Sequence, residues 1–235
     1  MIRLVLLDID GTLTKDRNTE AFDPDAIAAV QDVVNKYVVG LVTGNALIVT
    51  QALSRYIGLP RGSPLIAENG CLVDYRGEVH ELCEDLNLRD IALRLMKVIP
   101  GLRPTYQFNY RKFDITLWAP RDPNELVEVV KAELRKMNLD GKVRVSHSGY
   151  ALHLQPINSS KATAIKYLCG VIGVSCNEVV YVGDSDTDID AMNVVGYGVA
   201  VSNATDGLKR RAKIILEKPS GKGVVDFLKN YLPKL

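Results

Sequence analysis

Six side chains could do chemistry by type and place: Asp8, Asp10, Thr43, Lys161, Asp184 and Asp188. Asp8 and Asp10 end the apolar run Ile2, Leu4, Val5, Leu6, Leu7 and are separated by one residue, so both leave one side of the strand that this run predicts. Asp is a poor strand former, and two carboxylates at one strand end repel unless a cation lies between them. Asp184 and Asp188 follow a second apolar run, 178–182, and share a face if the chain turns helical there. The four acids form an oxygen-only set, which suits a hard cation, Mg²⁺ above all when a phosphate completes the coordination. A lysine and a hydroxyl beside them would neutralise and orient a phosphoryl group. Taken singly, Thr43 reads as a turn hydroxyl, Lys161 as a solvated first-turn lysine, and the acids 184–190 as helix caps. The inference rests on their joint placement at the ends of elements of one sheet.

The elements that must position them follow a βα grammar. Strand 2–7 precedes a helix over 26–37, with Asp23 as N-cap and Pro24 at its first position. Strand 38–42 ends in Thr43-Gly44-Asn45, and helix 46–57 closes at Gly58. Two such units in series predict right-handed crossovers and a parallel sheet. A strand over 65–67 and a small hairpin over 71–80 come next, punctuated by Glu68-Asn69-Gly70 and Arg76-Gly77. From 82 to 155 the grammar changes to helix 88–99, strands near Tyr106 and over 114–118, helix 123–137 capped by Asp122, and strands 142–146 and 151–155. That is an inserted α+β unit with its own half-polar sheet. The βα pattern then resumes with a helix over 161–172 capped by Ser159 or Ser160, the strand 178–182, a short helix to 194, strands 198–201 and 214–216, and a helix over 223–232. The expected fold is thus α/β, a Rossmann-like core of 1–81 and 156–235 with an inserted α+β cap at 82–155.

Composition narrows the classes. With 29 basic and 28 acidic residues the net charge is +1, so no global field draws nucleic acid or a membrane surface. The first apolar run meets acids after seven residues and lacks a small-residue cleavage site, so neither a signal peptide nor a membrane span is expected. A cytoplasmic location follows as an expectation. Cys71, Cys83, Cys169 and Cys176 show no C-x-x-C pairing and are read as free thiols, buried or partly buried. His80, His147 and His153 are scattered, against a histidine metal site.

At this point the chain resembles the haloacid dehalogenase superfamily. Asp8-Ile9-Asp10-Gly11-Thr12-Leu13 matches its first motif, Thr43 the second, Lys161 the third, and Gly183-Asp184 through Asp188 the fourth, in order. The insertion lies between the second and third motifs, as in Cof-like members. Its modest α+β content looks like the subtype shared with sucrose-phosphate and archaeal phosphoglycolate phosphatases. The resemblance implies Asp8 as nucleophile, Asp10 as general acid and base, Mg²⁺ held by Asp8, by position 10 through its carbonyl, by Asp184 and by Asp188, directly or through water. It implies that Thr43, Gly44, Asn45 and Lys161 hold the substrate. Two departures stand out. Thr187 occupies the place of an asparagine in many capped relatives, which bears on the hydrogen bonding around the metal ligands, and Asn45 that of an arginine. Thr-Gly-Asn looks like the archaeal phosphoglycolate phosphatase group, so 2-phosphoglycolate is the expected substrate, by analogy.

The alternatives are a sugar-phosphate phosphatase, a phosphomannomutase-like phosphotransferase, and a non-enzymatic phosphate-binding regulator on the same scaffold. The regulator is disfavoured because none of Asp8, Asp10, Lys161 or Asp184 is missing. The expected partner is a small phosphorylated metabolite, with no nucleic acid and no membrane, and the chain a monomer or homodimer. Arg103, Arg111, Lys112, His147 and His153 are cap candidates by type for reading the substrate, each more readily explained as surface charge. Glu68-Asn69-Gly70 matches a family turn and needs no function as a turn.

Overall fold

The computed structural model describes residues 1–148 and 150–235. In chain order the core opens with β1 (Leu4–Leu7), α1 (Pro24–Val33), β2 (Val38–Val42), α2 (Leu47–Ile57), β3 (Leu65–Ala67), β4 (Leu72–Tyr75) and β5 (Glu78–Glu81). The middle of the chain forms α3 (Leu88–Val98), β6 (Arg103–Pro104), β7 (Ile115–Trp118), α4 (Pro123–Lys136), β8 (Val143–His147) and β9 (Leu152–Pro156). The chain then returns through α5 (Lys161–Ile172), β10 (Val179–Gly183), α6 (Ile189–Met192), β11 (Tyr197–Ala200), α7 (Asp206–Lys209), β12 (Ile214–Ile215) and α8 (Ser220–Asp226).

The two stretches flanking the middle build one eight-stranded sheet in the order β12-β11-β10-β1-β2-β3-β4-β5, parallel from β12 to β3 and antiparallel beyond. Leu4–Leu7 is buried at every position, as a strand covered on both faces requires. β1 lies between β10 and β2, so the chain runs outward from it in both directions. This is the switch point at which open α/β sheets place a ligand crevice, beyond the carboxyl ends of the strands. Local chemistry sets the helix ends: Asp23 accepts from the N–H groups of Asp25 and Ala26 ahead of Pro24, and Ser160 caps α5 by accepting from Thr163 N.

The middle stretch forms a separate four-stranded antiparallel sheet, β6-β7-β9-β8, with its own hydrophobic cluster. Period-two alternation sorts its side chains. Ile115, Leu117, Val143, Val145, Leu152 and Leu154 pack with α3 and α4, while Thr116, Ser146, His153 and Gln155 line a cleft toward the core.

Two expectations are corrected. Cys71 and Cys83 are not free thiols but a disulfide, twelve residues apart. They flank the β4–β5 hairpin, whose register pairs Leu72 with Glu81 and sends Leu82 N to Cys71 O (2.8 Å), so the two ends necessarily meet. The strand near Tyr106 shrinks to Arg103–Pro104. The ladder stops at Thr105 because the chain then turns to carry Gln107 onto the core at Ala46. Among the described residues no helix is long and apolar enough to cross a membrane.

Candidate active site

Three neighbouring strands deliver the core half of the cleft. Asp8 follows β1, Thr43 follows β2 and Asp184 follows β10, while Lys161 opens α5. Asp8, Thr43, Lys161, Asp184 and Asp188 are all buried, and Asp10 is solvent-accessible at the cleft. Lys161 Nζ donates to Asp8 Oδ1 (2.9 Å), to Asp188 Oδ1 (2.5 Å) and to the Tyr181 hydroxyl (3.3 Å). Carboxylate oxygens of Asp8, Asp184 and Asp188 lie within 4.8 Å of one another. Three buried acids against one buried lysine leave a deficit of positive charge, which a divalent cation would fill.

Two glycines make this convergence possible. Gly11 has φ +81° and a Cβ there would run into Asp184 Oδ2, so only glycine lets the turn after Asp10 lie against that carboxylate. At Gly183 a Cβ would sit 2.6 Å from Asp188 Oδ2, blocking the return of Asp188 onto the strand end.

The acids divide by their remaining oxygens. Asp188 spends both: Oδ1 on Lys161 and on the Tyr181 hydroxyl (2.6 Å), Oδ2 on the N–H groups of Asp184 and Ser185 (both 3.0 Å). It therefore anchors Lys161 and the turn, while Asp8, with Oδ1 on Lys161, lines the cleft. Asp184 Oδ2 is gripped by Arg17 through Nε (2.9 Å) and Nη2 (2.6 Å). Arg17 lies in the loop between β1 and α1, and its spacing carried no signal of this contact.

Protonation follows from crowding. Burial pushes the Asp8 carboxyl well above its ordinary range; Lys161 opposes this, and Asp188, Asp184 and Asp10 add to it. Burial and the charge of Asp188 raise Asp184 to about 6, against the pull of Arg17. Asp188 stays below the ordinary range because Lys161 and its hydrogen bonds outweigh burial. Asp10, though open to the cleft, is raised because the surrounding protein keeps water from much of its carboxyl, an effect partly offset by a hydrogen bond from Asn45.

Asn45 is the hinge between core and cap. Its Nδ2 donates to Asp10 Oδ2 and to Thr43 Oγ1 (both 2.9 Å), and its Oδ1 accepts from Gln107 Nε2 (2.6 Å). With its oxygen accepting from Asn45 N as well, the Thr43 hydroxyl keeps its own proton to give to the cleft. The Gly44 carbonyl accepts from Arg111 Nη1 (2.6 Å). The cap thus docks on the very turn that carries Thr43.

Of the five cap candidates, Arg111, His147 and His153 line the cleft. Arg103 instead stacks on Trp118 (4.1 Å), and Lys112 pairs with Glu81 (2.7 Å) at the surface. Arg111 is buried beside Asp114, which also receives His153 Nδ1 (2.9 Å) and Asn69 Nδ2 (2.8 Å). Glu68-Asn69-Gly70 is more than a turn: buried Glu68 accepts the backbone N–H groups of Lys112, Phe113 and Asp114 at 2.6–3.0 Å. Glu68 and Asn69 hold left-handed φ of 49° and 53° to do so. Thr187, the first departure, hydrogen-bonds Ser185 Oγ (2.8 Å) and takes no place in the acid cluster. The cleft between core and cap encloses about 790 Å³.

An α/β sheet with an acid cluster at its switch point and a cap opposite defines a capped site for a cation and an anionic ligand, and similarity to known proteins gives its family. A model of the haloacid dehalogenase-like hydrolases matches residues 5–99 and 104–228, and the chain belongs to that family. It is 36% identical over 233 residues to a phosphoglycolate phosphatase of Sulfolobus acidocaldarius, covering 99% of this chain and 97% of that one. It is 39% identical over 223 residues to a phosphoglycolate phosphatase of Pyrobaculum neutrophilum, covering 94% and 92%. A crystal structure from Thermoplasma acidophilum shares the fold with a TM-score of 0.84 at 24% identity, covering 99% of both chains. A haloacid dehalogenase-like hydrolase from Bacteroides thetaiotaomicron does so at 0.79 and 21%, covering 97% of this chain and 99% of that one. The chain is a phosphoric monoester hydrolase.

Proposed function

We propose that this phosphatase is Mg²⁺-dependent and hydrolyses 2-phosphoglycolate to glycolate and phosphate through an aspartyl-phosphate on Asp8. The observation that carries the reading is the Asp8 carboxylate, buried at the switch point, held by Lys161 through Oδ1 and lining the cleft. The oxygen-only cluster fits Mg²⁺: Asp8 and Asp184 would hold it, the Asp10 carbonyl would join them, and Asp188 would complete the set directly or through water. The ion would supply neutralisation of the phosphoryl oxygens.

The residues do the rest. Asp8 attacks phosphorus, and the phosphorus–oxygen bond to the leaving group breaks as Asp10 gives its proton to that oxygen. Asp10 then takes a proton from the water that attacks the aspartyl-phosphate, freeing phosphate and restoring both acids. The raised Asp10 carboxyl suits a group that must start protonated. Thr43 and Lys161 hold phosphoryl oxygens, with Gly44 and Asn45 shaping the turn that presents Thr43.

Substrate choice is assigned to the cap. Arg111 rests on the carbonyl of Gly44, one residue from Thr43, so its charge lies close to the phosphoryl position. His153, held by Asp114, stands beside it on the open face of the cap sheet. A cation this near the phosphate suits an ester whose leaving group carries its own carboxylate a few bonds away, rather than a neutral sugar.

The test is phosphate release from a panel of esters, with Mg²⁺ and after chelation. The expectation is a preference for 2-phosphoglycolate that chelation abolishes. Preference for a hexose or disaccharide phosphate removes the glycolate assignment, and a need for a bisphosphate activator with little free phosphate would indicate a mutase.

A further inference from the structure

Cys169 and Cys176 take no part in the site, yet their Sγ atoms stand 2.7 Å apart. A disulfide measures about 2.05 Å and ordinary carbon contacts about 3.5–4.0 Å, so this pair lies nearer to bonding than to packing. Both backbones are pinned. The carbonyl of Cys169 accepts from Gly173 and Val174 (both 3.0 Å) at the left-handed end of α5, and that of Cys176 accepts from Gly196 (2.7 Å). Cys176 is partly exposed, whereas Cys169 is buried. The same chain already closes Cys71 to Cys83.

We infer that Cys169 and Cys176 form a second disulfide site, closed by exchange with a small-molecule disulfide. The Cys176 thiolate, reachable from solvent, attacks one sulfur of the reagent, breaks its S–S bond and releases one thiol. Cys169 then gives its proton to water, attacks Cys176 Sγ and expels the second thiol. Two electrons and two hydrogens pass from the cysteine pair to the reagent. The order fits the burial and the Cys176 hydrogen bond that push the Cys169 thiol up to about 12, which makes it the resolving sulfur.

The bridge would join the end of α5 to the turn that enters β10. Lys161 starts α5 and Asp184 follows β10, so the bridge lies at the ends remote from both. It would act as a staple on the element pair that carries the site, without touching the site.

The wild-type enzyme, incubated in its native state with oxidised glutathione, is denatured with iodoacetamide and mapped by peptide mass spectrometry. The expected result is a Cys169–Cys176 cross-link carrying no alkyl group, a melting temperature about 5–10 °C above that of Cys176→Ser by loop closure, and turnover within about twofold of the reduced form. Alkylation of both Cys169 and Cys176, while Cys71 and Cys83 remain protected in the same sample, overturns the inference. So does a glutathione adduct that persists on Cys176, since it shows that Cys169 cannot reach it.

Discussion

Asp8 and Asp114 are both buried carboxylates, one lining the cleft at the core and one packed in the cap against Arg111, His153 and Asn69, which line it, and the protein treats them in opposite ways. Burial pushes the Asp8 carboxyl up, and its single cationic partner, set against three neighbouring acids, does not bring it back. Asp114 bears the same burial penalty, but His153, Arg111 and Gln155 outweigh it and hold its carboxyl below the usual range. The core half of the cleft is thus built short of positive charge, and the cap half is built balanced. An unbalanced cluster is what a cation and a phosphoryl group can complete, whereas a balanced network holds its shape with the cleft empty or filled.

The contrast can be broken at several points, in descending order of effect. Asp8→Asn keeps the shape of the core but removes the proposed nucleophile, and turnover of every good ester should fall by ~10³-fold or more with secondary structure intact. Near-wild-type turnover would show that Asp8 forms no covalent intermediate. Lys161→Met leaves Asp8 and Asp188 buried without their counter-charge, and urea unfolding of the metal-free protein at neutral pH should register a loss of about 3–5 kcal/mol. The same measurement on Arg103→Met, whose partner is a ring rather than a buried acid, should show a much smaller loss.

Cation binding sharpens the comparison from the other side. Mg²⁺ at 100 times its dissociation constant should stabilise the wild type by about 2.7 kcal/mol, seen as a rise in melting temperature, and Asp184→Asn should lose most of that rise. Asp114→Asn should behave like the wild type in this titration. Its own signature lies in acid. A carboxyl lowered in the folded state contributes stability that is whole above about pH 4 and drains away as pH falls through and below that value. Melting followed between about pH 5 and pH 2.5 should therefore show a shallower acid decline in Asp114→Asn than in the wild type. This is the smallest of the effects, and an unchanged acid limb would mean that Asp114 does not secure the cap.

The core half of the site was largely legible in the sequence, because each of its groups ends a strongly patterned element. The apolar runs fix where β1, β2 and β10 stop, parallel pairing makes the three neighbours, and Asp8, Thr43 and Asp184 are the first polar residues beyond them. Lys161 begins a helix whose cap was readable at Ser160. The alternation that turns Thr116, His153 and Gln155 toward the cleft was latent in the same way, since the insertion already read as a half-polar sheet.

The contacts of the junction were not legible. Arg111 was a candidate by type and Glu68 part of a family turn, but they and Gln107 act across 44 to 67 positions of sequence, and no local periodicity sets those contacts. Arg17 reaches Asp184 across 167 positions from an irregular loop. The disulfide was missed for a related reason: spacing rules look for C-x-x-C, and the Cys71–Cys83 pairing becomes visible only once the hairpin register places the two ends together.

The division of labour between core and cap is tested most directly by comparing 2-phosphoglycolate with ethyl phosphate, the same ester lacking the carboxylate. With Mg²⁺ present, kcat/KM should favour 2-phosphoglycolate by about 100-fold in the wild type, the worth of one charge-assisted contact, and by about tenfold less in Arg111→Lys. Equal kcat/KM for the two esters in the wild type would contradict the account, because the cap would then be closing the cleft without reading what is in it.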